Sequence, residues 1–344
     1  MDYINNLDDK IKEYFNILEP NFPSWLIKYI DTKEMLKQDY ISITCGTIYS
    51  DLFESEYFFS SLDHSVAVAL IIWHFTHDKK QTLSGLFHDI ATPVFKHCID
   101  CMYGDYMTQE STEDLTTKII SDSKEIMELL KQDNILLSEV DDYHIYPIAD
   151  NDTPKLSSDR LEYSLSNALF TYRLMDIDEI KEIYDDIYIS YNEENNLELA
   201  FKNIDIANKF VSVTTRLSTI YREDRTVYTL QFLSDIIKGL LKDNIITIND
   251  LYNLKEEDII KIIKESKYKE VYNIWVNTKK VKNSEIEPND SYYTHHGLKI
   301  RYINPLVGSR RVYDISDEAK TNIDNNLNNK RIKYVYIDGI KKFI

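Results

Sequence analysis

The sequence predicts a mainly α-helical fold with a small α+β domain at the C-terminal end, and three observations carry that expectation. Apolar residues recur at helical spacing over most of the first 275 positions. Only 7 Gly and 7 Pro occur among 344 residues, too few for the turns of a β-sandwich. After the polar, proline-containing stretch KKVKNSEIEPNDSYY (279–293), the pattern changes to β-rich strings. The expected division is a helical domain over 1–275, with its motif-bearing core at 61–170, and an α+β domain over 276–344.

Residues 1–60 alternate short helical patterns with breaks at Pro20, Pro23 and Gly46. From Leu62 onward, Val68, Ile71, Ile72 and Phe75 mark one helical stripe, and His64 falls on it. A second helix over roughly 80–90 should stop near Ile90, because Pro93 disfavours helical geometry at Thr92 and cannot extend the hydrogen-bond ladder. The run STEDLTTKIISDSKEIMELLKQD opens with Ser/Thr caps and acidic first-turn residues, then sets Leu115, Ile119, Ile126, Leu129 and Leu130 on one side. Further helices are expected in LSSDRLEYSLSNALF and through IDIANKFVSVTTRLSTIYREDRTVYTLQFLSDIIKGLL, so the chain reads as nearly all helix to about 275. Beyond the linker, LKIRYI, RRVYDI and IKYVYIDGI read as strands, with a helix in SDEAKTNIDNNLNNK.

Acidic residues outnumber basic ones by 58 to 40, a formal net charge of −18. A broad nucleic-acid-binding surface is therefore not expected, since phosphate backbones need clustered Lys and Arg. A small anionic substrate fits if a metal ion and a few cations make its pocket locally positive. Three Cys do not make a disulfide framework, and the single C-x-x-C at Cys98 and Cys101 reads as core thiols. The acidic opening MDYINNLDDKIKEYF does not read as a signal peptide, and VALIIWHF is too short to span a bilayer. The expectation is a cytoplasmic protein without a membrane partner, its homo-oligomerisation left open.

Four polar residues occupy places where apolar ones are expected: His64, His88, Asp89 and Asp159. Two imidazoles and two carboxylates form a mixed set suited to one divalent ion such as Mn, Fe, Co, Ni, Zn or Mg. Adjacent helical side chains diverge by about 100°, so His88 and Asp89 can share an ion only where the helix ends, as Thr92 and Pro93 require. Asp159, Tyr163 and Asn167 are spaced by four and should line one helix face as a pocket wall.

The ordered set H…HD…D, written as LDHSVAVAL, LFHDIATPVFKH and SSDRLEY, resembles the HD-domain metal-dependent phosphohydrolases. Its flanks are most similar to the branch containing the deoxynucleoside triphosphate triphosphohydrolases. The resemblance implies an HD-domain helical bundle in which His64, His88, Asp89 and Asp159 hold one metal ion. It implies that His97, with Glu113, handles protons, and that Arg160, Tyr163 and Asn167 contact a small phosphorylated substrate, a nucleotide. Three phosphate-side groups of that branch are replaced here, by Ser61, Thr92 and Thr112. The alternative is a non-catalytic sensor that keeps the metal and the nucleotide pocket.

Overall fold

The computed structural model describes residues 3–54, 57–107, 115–329 and 332–344. Thr112 and Glu113 lie outside the described residues. The chain is mainly α-helical with a small α+β part. Among the described residues, no helix is long and apolar enough to cross a membrane.

Helix α1 spans Asp9–Leu18 and packs on α2, Ser61–Thr76. Ser60 caps α2 through the Asp63 N–H while the Asp63 carboxylate accepts from the Ser60 N–H, a reciprocal capping box. Every residue from Ser61 to Ile72 is buried, so α2 is a central helix covered on all sides. Its neighbour α3, Lys79–Phe87, starts at an Asp78 cap and ends where the sequence requires, before the Thr92-Pro93 break. A turn without regular structure leads to α4, His97–Met102, and Ser157 caps α5, Ser158–Ser166. The helix then loosens into a π-helical turn over Asn167–Thr171. Further on come α6 (Ile177–Asp185), α7 (Ile204–Ile220), α8 (Asp224–Lys242), α9 (Lys269–Val276) and α10 (Asp317–Asn328).

Several elements differ from the sequence reading. The run 115–132 is two helices, because the Ser123 side chain leaves the first and caps the second through the Ile126 N–H. A hairpin of β1 (Ile187–Tyr191) and β2 (Leu197–Phe201) interrupts the stretch read as continuous helix. LKIRYI is not a strand, and only Arg310–Arg311 of RRVYDI extends. The stretch 279–293 read as a linker holds β3 (Lys282–Ser284) and the start of β4 (Ser291–Thr294), and β5 (Leu306–Val307), β6 (Arg310–Arg311) and β7 (Tyr334–Lys341) follow. With the β1–β2 hairpin they form two sheets among the described residues, one in the order β1-β2-β5-β6 and one in the order β3-β7-β4. The β2–β5 pair is parallel, with Ala200 opposite Leu306.

Two large apolar cores result among the described residues, beside a small cluster of Val68, Ile72 and Ala149. One gathers α1, α2, α3, α5 and α7 and takes in Ile303, Val312, Ala319 and Ile323 from the C-terminal segment. The other forms around α4, α8 and α9 and takes in Leu298, Val335, Ile337 and Ile340. The strap Leu298–Ile303 therefore runs from one core to the other, with each end fixed by a buried side chain. Full burial of such a side chain contributes about 1.5–3 kcal/mol. Between its ends the strap is held by Lys299 N–H donating to the Tyr106 carbonyl at 3.1 Å and by Asn326 Nδ2 donating to the Arg301 carbonyl at 2.9 Å.

Candidate metal centre

The structure brings His64, His88, Asp89 and Asp159 to one point. His64 lies in the first turn of α2, and its Nδ1 contacts the Glu162 carboxylate. Glu162 is fully buried and also accepts from the Tyr14 hydroxyl at 3.2 Å. His88 follows the last residue of α3, and its Nδ1 donates to the Gly85 carbonyl at 2.7 Å. A carboxylate and a carbonyl only accept, so both Nδ1 atoms carry the proton. In the neutral imidazoles both Nε2 atoms are then lone-pair acceptors, and they face each other at 3.2 Å. Two acceptors at that separation repel unless a proton or a cation lies between them.

The carboxylates close the set. Asp159 Oδ1 is 3.2 Å from His64 Nε2 and 3.7 Å from His88 Nε2. Asp89 lies 3.9 Å from each imidazole, through Oδ2 to His64 and Oδ1 to His88. Asp89 can turn toward His88 because α3 has ended, and Thr92 N–H closes the following turn onto the Asp89 carbonyl at 2.9 Å. His64, His88 and Asp89 offer ligand atoms all within 4.8 Å of one another, and Asp159 adds a fourth group beside them. This nitrogen and oxygen set, with each imidazole oriented through its far nitrogen, fits a divalent ion.

Without an ion, the electrostatics show the same convergence. Burial pulls the His64 imidazole down, but Glu162 and Asp159 outweigh it and raise its pKa to about 10. Burial pushes the Asp159 carboxyl up, yet the two imidazoles bring it down to about 2. Asp89 is half-buried, and Lys96 with the imidazoles holds it well below the usual carboxylate range. A proton must therefore leave the cluster when a metal enters.

The cluster forms the floor of a cavity of about 280 Å³. His97, Arg160, Tyr163 and Asn167 all line it. His97 Nδ1 is bonded to Asp100 Oδ2 at 2.8 Å, and burial together with Arg301 and Lys96 lowers the imidazole pKa despite that aspartate. Arg160 reaches the cavity edge with its guanidinium already engaged by Asp150, the Asn151 side chain and the Lys155 carbonyl. Asn167 Nδ2 donates back to the Tyr163 carbonyl at 2.8 Å, at the start of the π-helical turn. Tyr221 also lines the cavity, whereas Arg216 is exposed and Arg222 is bonded to Asn326 at the end of α10.

Three participants were not assigned a part from the sequence. Glu162 lies past the first turn of α5, three residues after Asp159. Lys96 sits on a turn in which Phe95 and Lys96 both have positive φ, at +61° and +43°. Such backbone costs about 1–3 kcal/mol per residue. Arg301 enters from the strap, in a string read as a strand, and its guanidinium lies 5.9 Å from the centroid of the Tyr163 ring. Cys98 and Cys101 are buried thiols with raised pKa values, as expected of core cysteines.

No family model matches the chain. The uncharacterized protein YdhJ of Bacillus subtilis strain 168 is 24% identical over 247 residues, which cover 71% of this chain and 73% of YdhJ. A solved structure of a hypothetical protein from Aquifex aeolicus superimposes with a TM-score of 0.59 at 16% identity, covering 91% of this chain and 92% of that one. A phosphohydrolase from Bacteroides thetaiotaomicron VPI-5482 superimposes with a TM-score of 0.61 at 14% identity, covering 92% of this chain and 96% of that one. Over nearly its whole length, this chain has the fold of the Bacteroides phosphohydrolase.

Proposed function

We propose that the protein is a metal-dependent phosphohydrolase of the HD type acting on a nucleotide, in the manner of the deoxynucleoside triphosphate triphosphohydrolase-like branch. The observation that carries this reading is the convergence of His64, His88, Asp89 and Asp159 with both imidazole Nε2 atoms turned inward as acceptors. The fold shared with the Bacteroides phosphohydrolase supports it.

His64, His88, Asp89 and Asp159 would hold one divalent ion. When bound, that ion supplies Lewis acidity toward a phosphoryl oxygen and toward the attacking water. Glu162 and the Gly85 carbonyl keep the two imidazoles in the tautomer that presents Nε2. His97, its Nδ1 committed to Asp100, accepts or returns a proton at Nε2. Glu113 would share that work. Tyr163 and Asn167 form the wall that positions the organic group, and Arg160 fixes the loop 150–155 at the edge of the cavity.

The test is a panel of nucleotides incubated with protein loaded with each of several divalent metals. Metal-dependent release of phosphate or polyphosphate is expected, with loss of both metal and activity in His88→Ala and Asp159→Ala. Metal-loaded protein that binds nucleotides and releases nothing from any of them would replace the hydrolase with the sensor.

A further inference from the structure

The cavity has an unbalanced charge. At the metal cluster, Asp89, Asp159 and the buried Glu162 behind His64 carry three negative charges, one more than a divalent ion neutralises, and the whole chain carries −18. A phosphorylated substrate is repelled from such a site unless other cations face it. Arg160 adds no net positive charge, because Asp150, a carboxylate besides those three, stands 3.1 Å from its guanidinium and offsets it. Ser61 and Thr92 are uncharged.

Two other cations reach the space that those residues leave. Lys96 Nζ donates to Ser61 Oγ at 2.9 Å and to Asp89 Oδ2 at 2.6 Å, so an amine from a different element stands where Ser61 brings no charge. It gets there from a φ of +43°, a conformation glycine adopts freely and lysine rarely does, so the turn places this side chain against the preference of its backbone. Arg301 comes from the strap, beside Lys299, and approaches the Tyr163 ring. Lys96 and Arg301 line one cavity together with Cys45 and His97, so both cations face the same volume. That volume adjoins the metal cluster on one side and the Tyr163 wall on the other.

We propose that Lys96 and Arg301 are the anion-binding pair of the cavity, taking the phosphoryl oxygens of the substrate, with the strap after the linker supplying a cation that the helical motif lacks. The pair brings two positive charges to a metal cluster that keeps a net −1 with its ion. Lys96 bridges Asp89 and the phosphoryl group, while Arg301 holds the group against Tyr163. This inference rests on the phosphohydrolase reading for the nature of its ligand.

The experiment titrates inorganic phosphate into full-length protein carrying one equivalent of Mn²⁺, by calorimetry, for the wild type, Lys96→Gly, Arg301→Gln and Arg301→Lys. Glycine suits the backbone at position 96, and lysine retains the charge at 301, so folding and charge are separated. The expected result is a phosphate Kd weakened tenfold or more in Lys96→Gly and Arg301→Gln, partly restored in Arg301→Lys, with metal content unchanged. Phosphate affinity within twofold of wild type in both neutral variants would overturn the pair, even if the wild type hydrolyses nucleotides. Weakened phosphate binding in these variants, in a protein whose wild type hydrolyses no nucleotide, would uphold the pair and remove the hydrolase reading.

Discussion

Replacing Glu162 by Gln should loosen the metal without unfolding the protein. Glu162 is fully buried, touches His64 Nδ1, and accepts from Tyr14 at 3.2 Å and from Ser166 Oγ at 3.3 Å. Gln has nearly the same volume and keeps one acceptor for the imidazole, so the packing survives while the charge behind the ligand is lost. Loss of an outer partner of this kind lowers metal affinity about 10- to 100-fold, or about 1.4–2.8 kcal/mol. Glu162→Ala should do more, because it leaves the Tyr14 hydroxyl and the His64 N–H buried and unpaired, at about 1–3 kcal/mol each. Competition with a chelator of known affinity, followed by elemental analysis, reads the first effect, and denaturant unfolding with and without metal reads the second. The acid side carries a further signature. Glu162 is the main group raising His64, and the proton held there must leave as metal binds. Apparent metal affinity should thus fall as pH drops below about 10, and fall less steeply in Glu162→Gln. Wild-type metal affinity and an unchanged pH slope in Glu162→Gln would refute the orientation argument.

Three other outcomes follow from the site and its supports. His97 is held below the usual histidine pKa by burial, Arg301 and Lys96, so the acid limb of kcat/KM should lie below about 6.5, vanish in His97→Asn and move upward in Arg301→Gln. Glu256, which accepts from Tyr49 and from the Phe95 N–H, is raised by burial from 4.5 to about 7. Its raised folded pKa gives a stability contribution that is complete below 4.5 and lost as pH rises through about 7, at up to about 1.4 kcal/mol per pH unit. Its neighbour Lys37 is lowered by burial from 10.5 to about 7, so stability is lost as pH falls from 10.5 toward 7. Melting temperature against pH should therefore dip near 7, and Glu256→Gln should remove the acid side of that dip. Gly46 has φ +80°, and a Cβ there would stand 2.7 Å from Leu233 Cδ1 and 2.9 Å from Phe95 Cδ1. Gly46→Ala should cost about 1–3 kcal/mol in denaturant unfolding and disturb the Phe95–Lys96 turn, which a wild-type unfolding curve would contradict.

The helical part of the fold was legible because its signals are local. Pro93 announced the end of α3, and that end lets Asp89 swing toward His88 instead of diverging by the angle of a continuous helix. The stripe Asp159, Tyr163, Asn167 could be counted along the chain, though not the π-helical turn that begins at its last member. Glu162 was hidden because its partner His64 lies 98 residues away, and only the folded chain shows that contact. The β1–β2 hairpin had a turn signal in Asn192, Asn195 and Asn196, but helical runs on either side obscured it. Arg301 had no local signal, since its place is set by Leu298 and Ile303 entering two different cores. The change of composition after 275 is real in the sequence, and the segment beyond it shares both cores and the wall of the cavity with what precedes it.

The parallel pairing of β2 with β5 has a kinetic consequence. Ala200 meets Leu306 only after more than a hundred intervening residues have been ordered, and contacts of such separation form late because the entropy of closing the loop is spent before any contact rewards it. The helices that position His64, His88 and Asp159 precede that pair in synthesis, although His64 and Glu162 must themselves meet across 98 residues. A refolding chain should thus regain helical circular dichroism first and gain the strap over its cavity last. The rate of that last step, rather than helix formation, would set how quickly newly made protein reaches its final form.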